Sequence, residues 1–303
     1  MRQKQVTNSI KQSLLICLSF FLKSVRIAGG KSIKGRGSIF NLQKVMYRKR
    51  PIEYGIIYTG AQERMIIVKC EKNISTGFQS LDALLGGGFH GGSLNVIAGR
   101  PGMCERIFAL QCAAGMVKNS GKRIPFFPME MAADIIREKF AELCYRDSVI
   151  LDDTVSITTS QIRTRLAGVS NLGAAVIDHF ELIQPEDGAD GQNAAIKANE
   201  IAWELKQIAR EFDIPILCAS RLPRSLREHR NRRHILKDLE RISSVLVQDA
   251  DVILSPYRHA YDAAEEIEYP AGAEIIVVKN RYGGCGSLPF RFDGRIPQFS
   301  EDI

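Results

Sequence analysis

The octapeptide Gly99-Arg100-Pro101-Gly102-Met103-Cys104-Glu105-Arg106 is where residue type and spacing first point to chemistry in this chain. It follows an apolar run at 94–98 and precedes a helix-period stretch at 107–117. A loop so placed binds phosphate by wrapping it in backbone N–H groups at a helix N-terminus. The usual form of such a loop is G-x-x-x-x-G-K-[ST]. Gly99 satisfies the first position, but Cys104 stands at the second glycine, Glu105 at the lysine and Arg106 at the hydroxyl residue. Glu105 sets an anion against phosphate, Arg106 lacks the oxygen that would ligate Mg2+, and Cys104 adds a Cβ where the backbone has to approach closely. Arg106 returns a positive charge, though on a guanidinium of different shape and reach from lysine. An unrelated Gly/Pro turn explains the octapeptide as well, so its surroundings decide.

Other chemistry-bearing residues lie downstream. Glu130 closes the segment Phe126-Phe127-Pro128-Met129-Glu130-Met131, and Asp178 ends the apolar run Ala175-Val176-Ile177-Asp178. Lys279 and Arg281 alternate near the end of a later apolar stretch, which directs them to one face of a strand. Six arginines fall between Arg221 and Arg233, with His229 and His234 close by. Such a run is either a solvated loop or a grip on nucleic-acid phosphates.

The elements that must position these groups follow an alternating pattern. Strand-length apolar runs fall at 94–98, 123–127, 174–178, 214–219, 252–254, 274–279 and 288–292. Helix-period stretches fall at 107–117, 160–166 and 193–212. Continuous apolar strands alternating with helices predict an α/β domain, a mainly parallel sheet sandwiched by helices.

Composition sets broader bounds. Of 303 residues, 45% are hydrophobic and 25% charged, which suits a globular chain with its own core. The net charge of +7 is unevenly placed. Residues 1–72 hold 15 Lys/Arg against 3 Asp/Glu, and the rest holds 26 against 31. The basicity therefore belongs to an N-terminal extension, 1–73, expected to be partly disordered, and says little about the domain at 74–303. Within it, the run Leu14–Leu22 behind Arg2, Lys4 and Lys11 reads either as a secretory signal or as an ordinary apolar segment. It is too short for a membrane-spanning helix. The seven cysteines are scattered and never form CxxC, which fits a reduced, cytoplasmic setting and offers no zinc pattern.

The order of motifs over 74–299 resembles the DnaB-like replicative DNA helicase family, whose ATPase domain has the RecA-like P-loop NTPase fold. The resemblance rests on Ser75-Thr76-Gly77-Phe78-Gln79-Ser80-Leu81-Asp82, Gly86-Gly87-Gly88 and Gly91-Gly92-Ser93-Leu94 as the lead-in to the loop. It continues through the Glu130-Met131 pair, Ala175–Asp178, His179-Phe180-Glu181-Leu182 and Cys218-Ala219-Ser220-Arg221-Leu222. Gln248-Asp249-Ala250-Asp251, Tyr257-Arg258, the stretch 273–283 and Phe292-Asp293-Gly294 complete the series. Another RecA-type ATPase, of the recombination or circadian-clock kind, shares the glycine-rich lead-in, but the Lys279-x-Arg281 strand favours the helicase branch.

The resemblance implies roles by position. Residues 99–106 with Arg221 and Arg258 would hold ATP. Glu130 would activate the attacking water, and Asp178 would hold Mg2+. Lys279 and Arg281 would reach a neighbouring subunit's nucleotide, which implies a homo-hexamer or mixed ring. Arg224, Arg227 and Arg241 would contact single-stranded DNA, with no role for a membrane. Departures accompany these matches. Arg221 replaces a glutamine that senses the γ-phosphate, and Glu240-Arg241 inverts an expected Arg-Glu order. The stretch between Glu130 and Asp178 is short, and no helical N-terminal domain is recognisable in 1–72. The family implies ATP-dependent unwinding. The departures at the loop imply the alternative, a catalytically impaired relative acting as a DNA-binding or structural ring component.

Overall fold

The computed structural model describes residues 40–47, 50–59, 64–69, 73–142, 149–186, 194–222, 235–259 and 268–302. The apolar run at 14–22 lies outside them. The chain divides into two units, Met1–Glu71 and Lys72–Ile303. In the first, three strands, β1 (Phe40–Tyr47), β2 (Arg50–Thr59) and β3 (Arg64–Lys69), pair antiparallel in the order β1-β2-β3. Breaker residues and charge in the sequence mark no strand in that stretch.

The second unit is built on a nine-stranded sheet in the order β12-β11-β10-β9-β4-β8-β7-β5-β6. Six strands run parallel: β4 (Leu94–Gly99), β5 (Ile124–Pro128), β6 (Val149–Leu151), β7 (Ala175–Asp178), β8 (Ile216–Arg221) and β9 (Val252–Arg258). Three more, β10 (Ala271–Asn280), β11 (Gly286–Asp293) and β12 (Gln298–Glu301), extend one edge antiparallel. The expected α/β, mainly parallel sheet is therefore present. Its inner strands are apolar at nearly every position because both faces are covered.

The two faces are separate cores. On β4, Leu94, Val96 and Ala98 face one way and Ile97 the other, and β8 splits Ile216 and Cys218 from Leu217 and Ala219 in the same manner. One core takes helices α1 (Gln79–Leu84) and α2 (Glu105–Ser120). The other takes α4 (Thr159–Ala167), α5 (Ala194–Phe212), α6 (Ile235–Ile242) and α7 (Ser244–Asp249). Helix α3 (Ala133–Glu142) follows β5. Helix α4 begins at Thr158, whose hydroxyl and Gln161 form a reciprocal capping box. Helix α5 buries Ile201, Ala202, Leu205, Ile208 and Ala209 on one stripe, the spacing of an amphipathic helix.

Register brings the chemistry to one edge. Gly99 pairs with Arg221, Asp178 with Ala219, and Pro128 with Asp178. The loop after β4, Glu130 after β5, Asp178 on β7 and Arg221 on β8 thus gather at the C-terminal ends of adjacent parallel strands, where open α/β sheets place their sites. Helix α2 is held against the sheet by aromatic packing. Phe108 stacks on Phe78 at 5.2 Å and meets Phe290 and Phe299 edge-on. Gly77, at φ +95°, touches Gly115 of α2 so closely that a Cβ on Gly77 would lie 2.7 Å from its Cα.

Phe108 is fully buried at the centre of this packing. We expect Phe108→Ala to lower unfolding free energy by about 3–5 kcal/mol in urea titrations, with α2 the first element to lose hydrogen-exchange protection.

Candidate functional site

The loop that leaves β4 enters α2 through two residues with positive φ. Gly102 turns at φ +90°, and Cys104 adopts φ +63°, ψ +39° as the N-cap of α2. That left-handed geometry is one that glycine reaches without cost and cysteine does not. Arg258 braces the loop from β9. Its Nη1 donates to the Gly102 carbonyl at 2.7 Å and lies 3.4 Å from Cys104 Sγ, while its guanidinium covers the Phe292 ring at 4.1 Å. Met103 is buried beneath, and its sulfur accepts the Arg258 N–H. Arg100 and Pro101, half-buried, form the turn.

Glu105 and Arg106, the first residues of α2, point into the strand ends. Glu105 is 5% exposed and folds back over Gly99: its Cβ and Oε2 each lie 2.7 Å from where a Cβ on Gly99 would stand. Its Oε1 accepts from Arg221 Nε at 3.3 Å. Burial pushes its carboxyl above the ordinary carboxylate range, and Arg221 opposes that rise. Arg106 Nε lies 2.5 Å from Asp178 Oδ2, and Arg106 Nη2 pairs closely with Glu130 Oε2. Burial works against the Arg106 charge, but Asp178 and Glu130 outweigh it and hold the group protonated.

Asp178 has no exposed surface. Its Oδ2 meets Arg106 Nε in a close ion pair, the contact that offsets its burial. Burial raises its pKa to about 6, and Arg106 limits the rise. Glu130 is the accessible member of the group. Its carboxyl sits below the usual range because Arg106 donates to it, with Arg221 Nη2 at 3.6 Å adding to the effect.

His179 and Glu181 complete the cluster, and neither is among the site residues expected from the sequence. His179 takes φ +78° directly after β7 and brings Nε2 to 3.4 Å from Glu130. Burial, then Arg221 and Arg106, lower its pKa to about 4, so the ring is neutral near pH 7. Glu181 accepts from the Ser220 hydroxyl at 2.5 Å and from the Arg221 N–H at 3.2 Å. Their signal in the sequence is position alone, directly after a buried strand ending in Asp.

The structure brings together residues 99–106, Glu130, Asp178, Arg221 and Arg258. It does not bring Lys279 or Arg281 to them. Lys279 Nζ donates to the carbonyls of Val247 and Gln248 at 2.7 and 2.9 Å, capping the C-terminal end of α7. Arg281 joins it at the Gln248 carbonyl and pairs with Asp251 Oδ1 at 3.3 Å. A bulge between Val277 and Lys279 adjusts β10 just before this pair. Arg241 is exposed in the last turn of α6, while Arg224 and Arg227 lie outside the described residues.

The family model of the DnaB-like helicase C terminal domain matches residues 73–144 and 134–301. Its two matched segments overlap at residues 134–144, between Glu130 and Asp178. Among relatives, the chain is 30% identical to replicative DNA helicase DnaC of Bacillus subtilis, a match covering 72% of this chain and 54% of that protein. It is 31% identical to replicative DNA helicase DnaB of Geobacillus stearothermophilus over the same shares of each. The chain thus spans about half the length of the curated relatives it matches. Among solved structures, one isolated ATPase domain superposes with a TM-score of 0.67 at 23% identity, covering 77% of this chain and 94% of that one. A DnaB-like replicative helicase, solved to study its interactions with primase, gives 0.65 at 23%, covering 75% and 61%. Both share the fold.

The raised pKa of Asp178 fixes a sign. The folded chain holds a proton on this carboxyl up to about pH 6, whereas the unfolded chain releases it near 3.8. Stability contributed by the proton is complete below the unfolded value and is lost as pH rises through the folded one. Relative to the natural chain, Asp178→Asn should therefore gain about 2–3 kcal/mol between pH 4 and pH 7.5 in urea unfolding. A difference that stays flat with pH would contradict the assignment.

Proposed function

Since the chain belongs to the DnaB-like helicase C-terminal-domain family, we propose that it works as a replicative-helicase-type ring subunit on single-stranded DNA. The observation that carries this reading is the alignment of Gly99, Glu130, Asp178 and Arg221 along one edge of the parallel sheet, with Lys279 on its antiparallel extension and Arg281 just past the end of β10. In a fully active member, Glu130 would serve as the base that aligns water, and Asp178 would hold magnesium beside ATP. Lys279 and Arg281 would leave α7 for a neighbouring copy's site when a hexameric or mixed ring closes. Arg241, with Arg224 and Arg227, would grip the DNA backbone through charge without reading sequence. Among the described residues no helix is long and apolar enough to cross a membrane. We place the chain in the cytoplasm with the replication machinery.

A second reading is favoured by one specific contact. Arg106 pairs with both Asp178 and Glu130, the two carboxylates that hydrolysis would use. On that reading the chain keeps the ring and the DNA grip but does not turn over ATP at its own loop.

Fluorescence anisotropy with a labelled oligo-dT strand, across a salt series, tests the DNA reading, and mass photometry of the same samples tests the ring. Binding should weaken log-linearly with salt, and Arg241→Ala should reduce the slope by about 0.7. Absence of binding at low salt, together with a strictly monomeric mass, would overturn the proposal.

A further inference from the structure

Five charged side chains close the ends of β4, β5, β7 and β8, and each has its counter-charge inside the group. Arg106 serves Asp178 and Glu130; Arg221 serves Glu105 and lies 3.6 Å from Glu130. A magnesium nucleotide requires the reverse: carboxylates open toward a metal, and a cradle of N–H groups open toward phosphate. We propose that Arg106 is a resident counter-cation, standing where a metal ion would otherwise neutralise Asp178 and Glu130, and that this chain's own loop is closed to magnesium nucleotides. The proposal rests on the family reading, which is what makes a nucleotide the expected ligand here.

Four observations carry it. Arg106 Nε is 2.5 Å from an Asp178 with no exposed surface, so a hydrated ion has no room between them. The hydroxyl that would complete a metal's ligand set is absent, because Arg106 itself occupies that position. The inner wall of the loop is covered by the Glu105 carboxylate, 2.7 Å from the Cβ position of Gly99. Finally, the guanidinium groups of Arg106 and Arg221 face four carboxylates, those of Glu105, Glu130, Asp178 and Glu181, so the positive charge at these strand ends is already matched by acid. The residues present do not fit the group that the family implies.

An alternative is that Arg106 swings out to meet phosphate and yields Asp178 to a metal. That motion would break two ion pairs together and leave a fully buried carboxylate without its cation, a severe penalty before any ligand contact forms. Arg106 is itself only 17% exposed, which gives it little solvent to swing into.

The test uses the full chain. Mant-ATP fluorescence and thermal melts are recorded with millimolar magnesium and with EDTA, for the natural chain and for Arg106→Ser, Arg106→Lys and the Glu105→Lys/Arg106→Thr double variant. The natural chain should give no saturable mant-ATP signal and no Tm shift with millimolar magnesium ATP. Arg106→Ser should melt roughly 5–10 °C lower in EDTA and recover part of that loss with magnesium alone, while Arg106→Lys should retain more of the natural Tm than Arg106→Ser. The double variant should gain magnesium-dependent mant-ATP binding. Micromolar magnesium-dependent binding by the natural chain would overturn the proposal, as would an Arg106→Ser variant that loses no stability and ignores magnesium. If Arg106→Ser does not fold, the natural chain's nucleotide titration decides alone. Loss of DNA binding or of ring assembly would count against the family function and would leave these readouts unchanged.

Discussion

The contact between Arg106 and Asp178 is the constraint around which the charged cluster at the strand ends is arranged. A carboxylate with no exposed surface at the end of a central strand must be neutralised by a proton, a metal or a fixed cation. Here the cation comes from the first turn of α2, at the last position of the octapeptide. It neutralises incompletely, since the carboxyl still titrates near pH 6. The other charges follow from this choice. With Arg106 turned toward β5 and β7, Glu105 makes its side-chain ion pair with Arg221 from β8. Glu130, bound by Arg106 and approached by Arg221, joins the two pairs into one network.

The fold makes that network possible by register. Parallel pairing of β4 with β8, β8 with β7 and β7 with β5 sets Gly99, Arg221, Asp178 and Glu130 within reach at one edge. Phe108 and its aromatic neighbours fix α2, and so the direction in which residues 105 and 106 leave the loop. Arg258 holds Gly102 and Cys104 from outside. These supports on both sides hold Cys104 in a conformation suited to glycine.

Much of the architecture is legible in the sequence, for a physical reason. Buried parallel strands must be apolar throughout, and the helices between them must show a 3.6-residue stripe, so 94–98, 174–178 and 193–212 announce themselves. Short edge elements such as β6 and β12 carry too few residues to show a period. The strands at 40–69 are hidden among charges and glycines. Glu130, Asp178 and the loop are legible as ends of strands. Their partnerships are not, because Glu105 and Arg221 are 116 residues apart and Arg106 and Glu130 are 24 apart. From sequence, Glu105 is expected to oppose phosphate and Arg106 to compensate for it. In the fold, Arg106 compensates carboxylates, and Glu105 has an arginine of its own. The spacing of Lys279 and Arg281 suggests reach into a neighbour; within a single chain they cap α7, a role that spacing alone does not reveal.

The most direct measurement of the central claim is a double-mutant cycle on Arg106 and Asp178, using Arg106→Met, Asp178→Asn and the pair together, by urea unfolding at pH 7.5. If the guanidinium is the counter-ion of the buried carboxylate, the double variant will be more stable than the sum of the single changes requires. The coupling energy should then be at least about 1 kcal/mol. Strict additivity, with a coupling indistinguishable from zero, would show that the two groups do not depend on each other and would contradict the account.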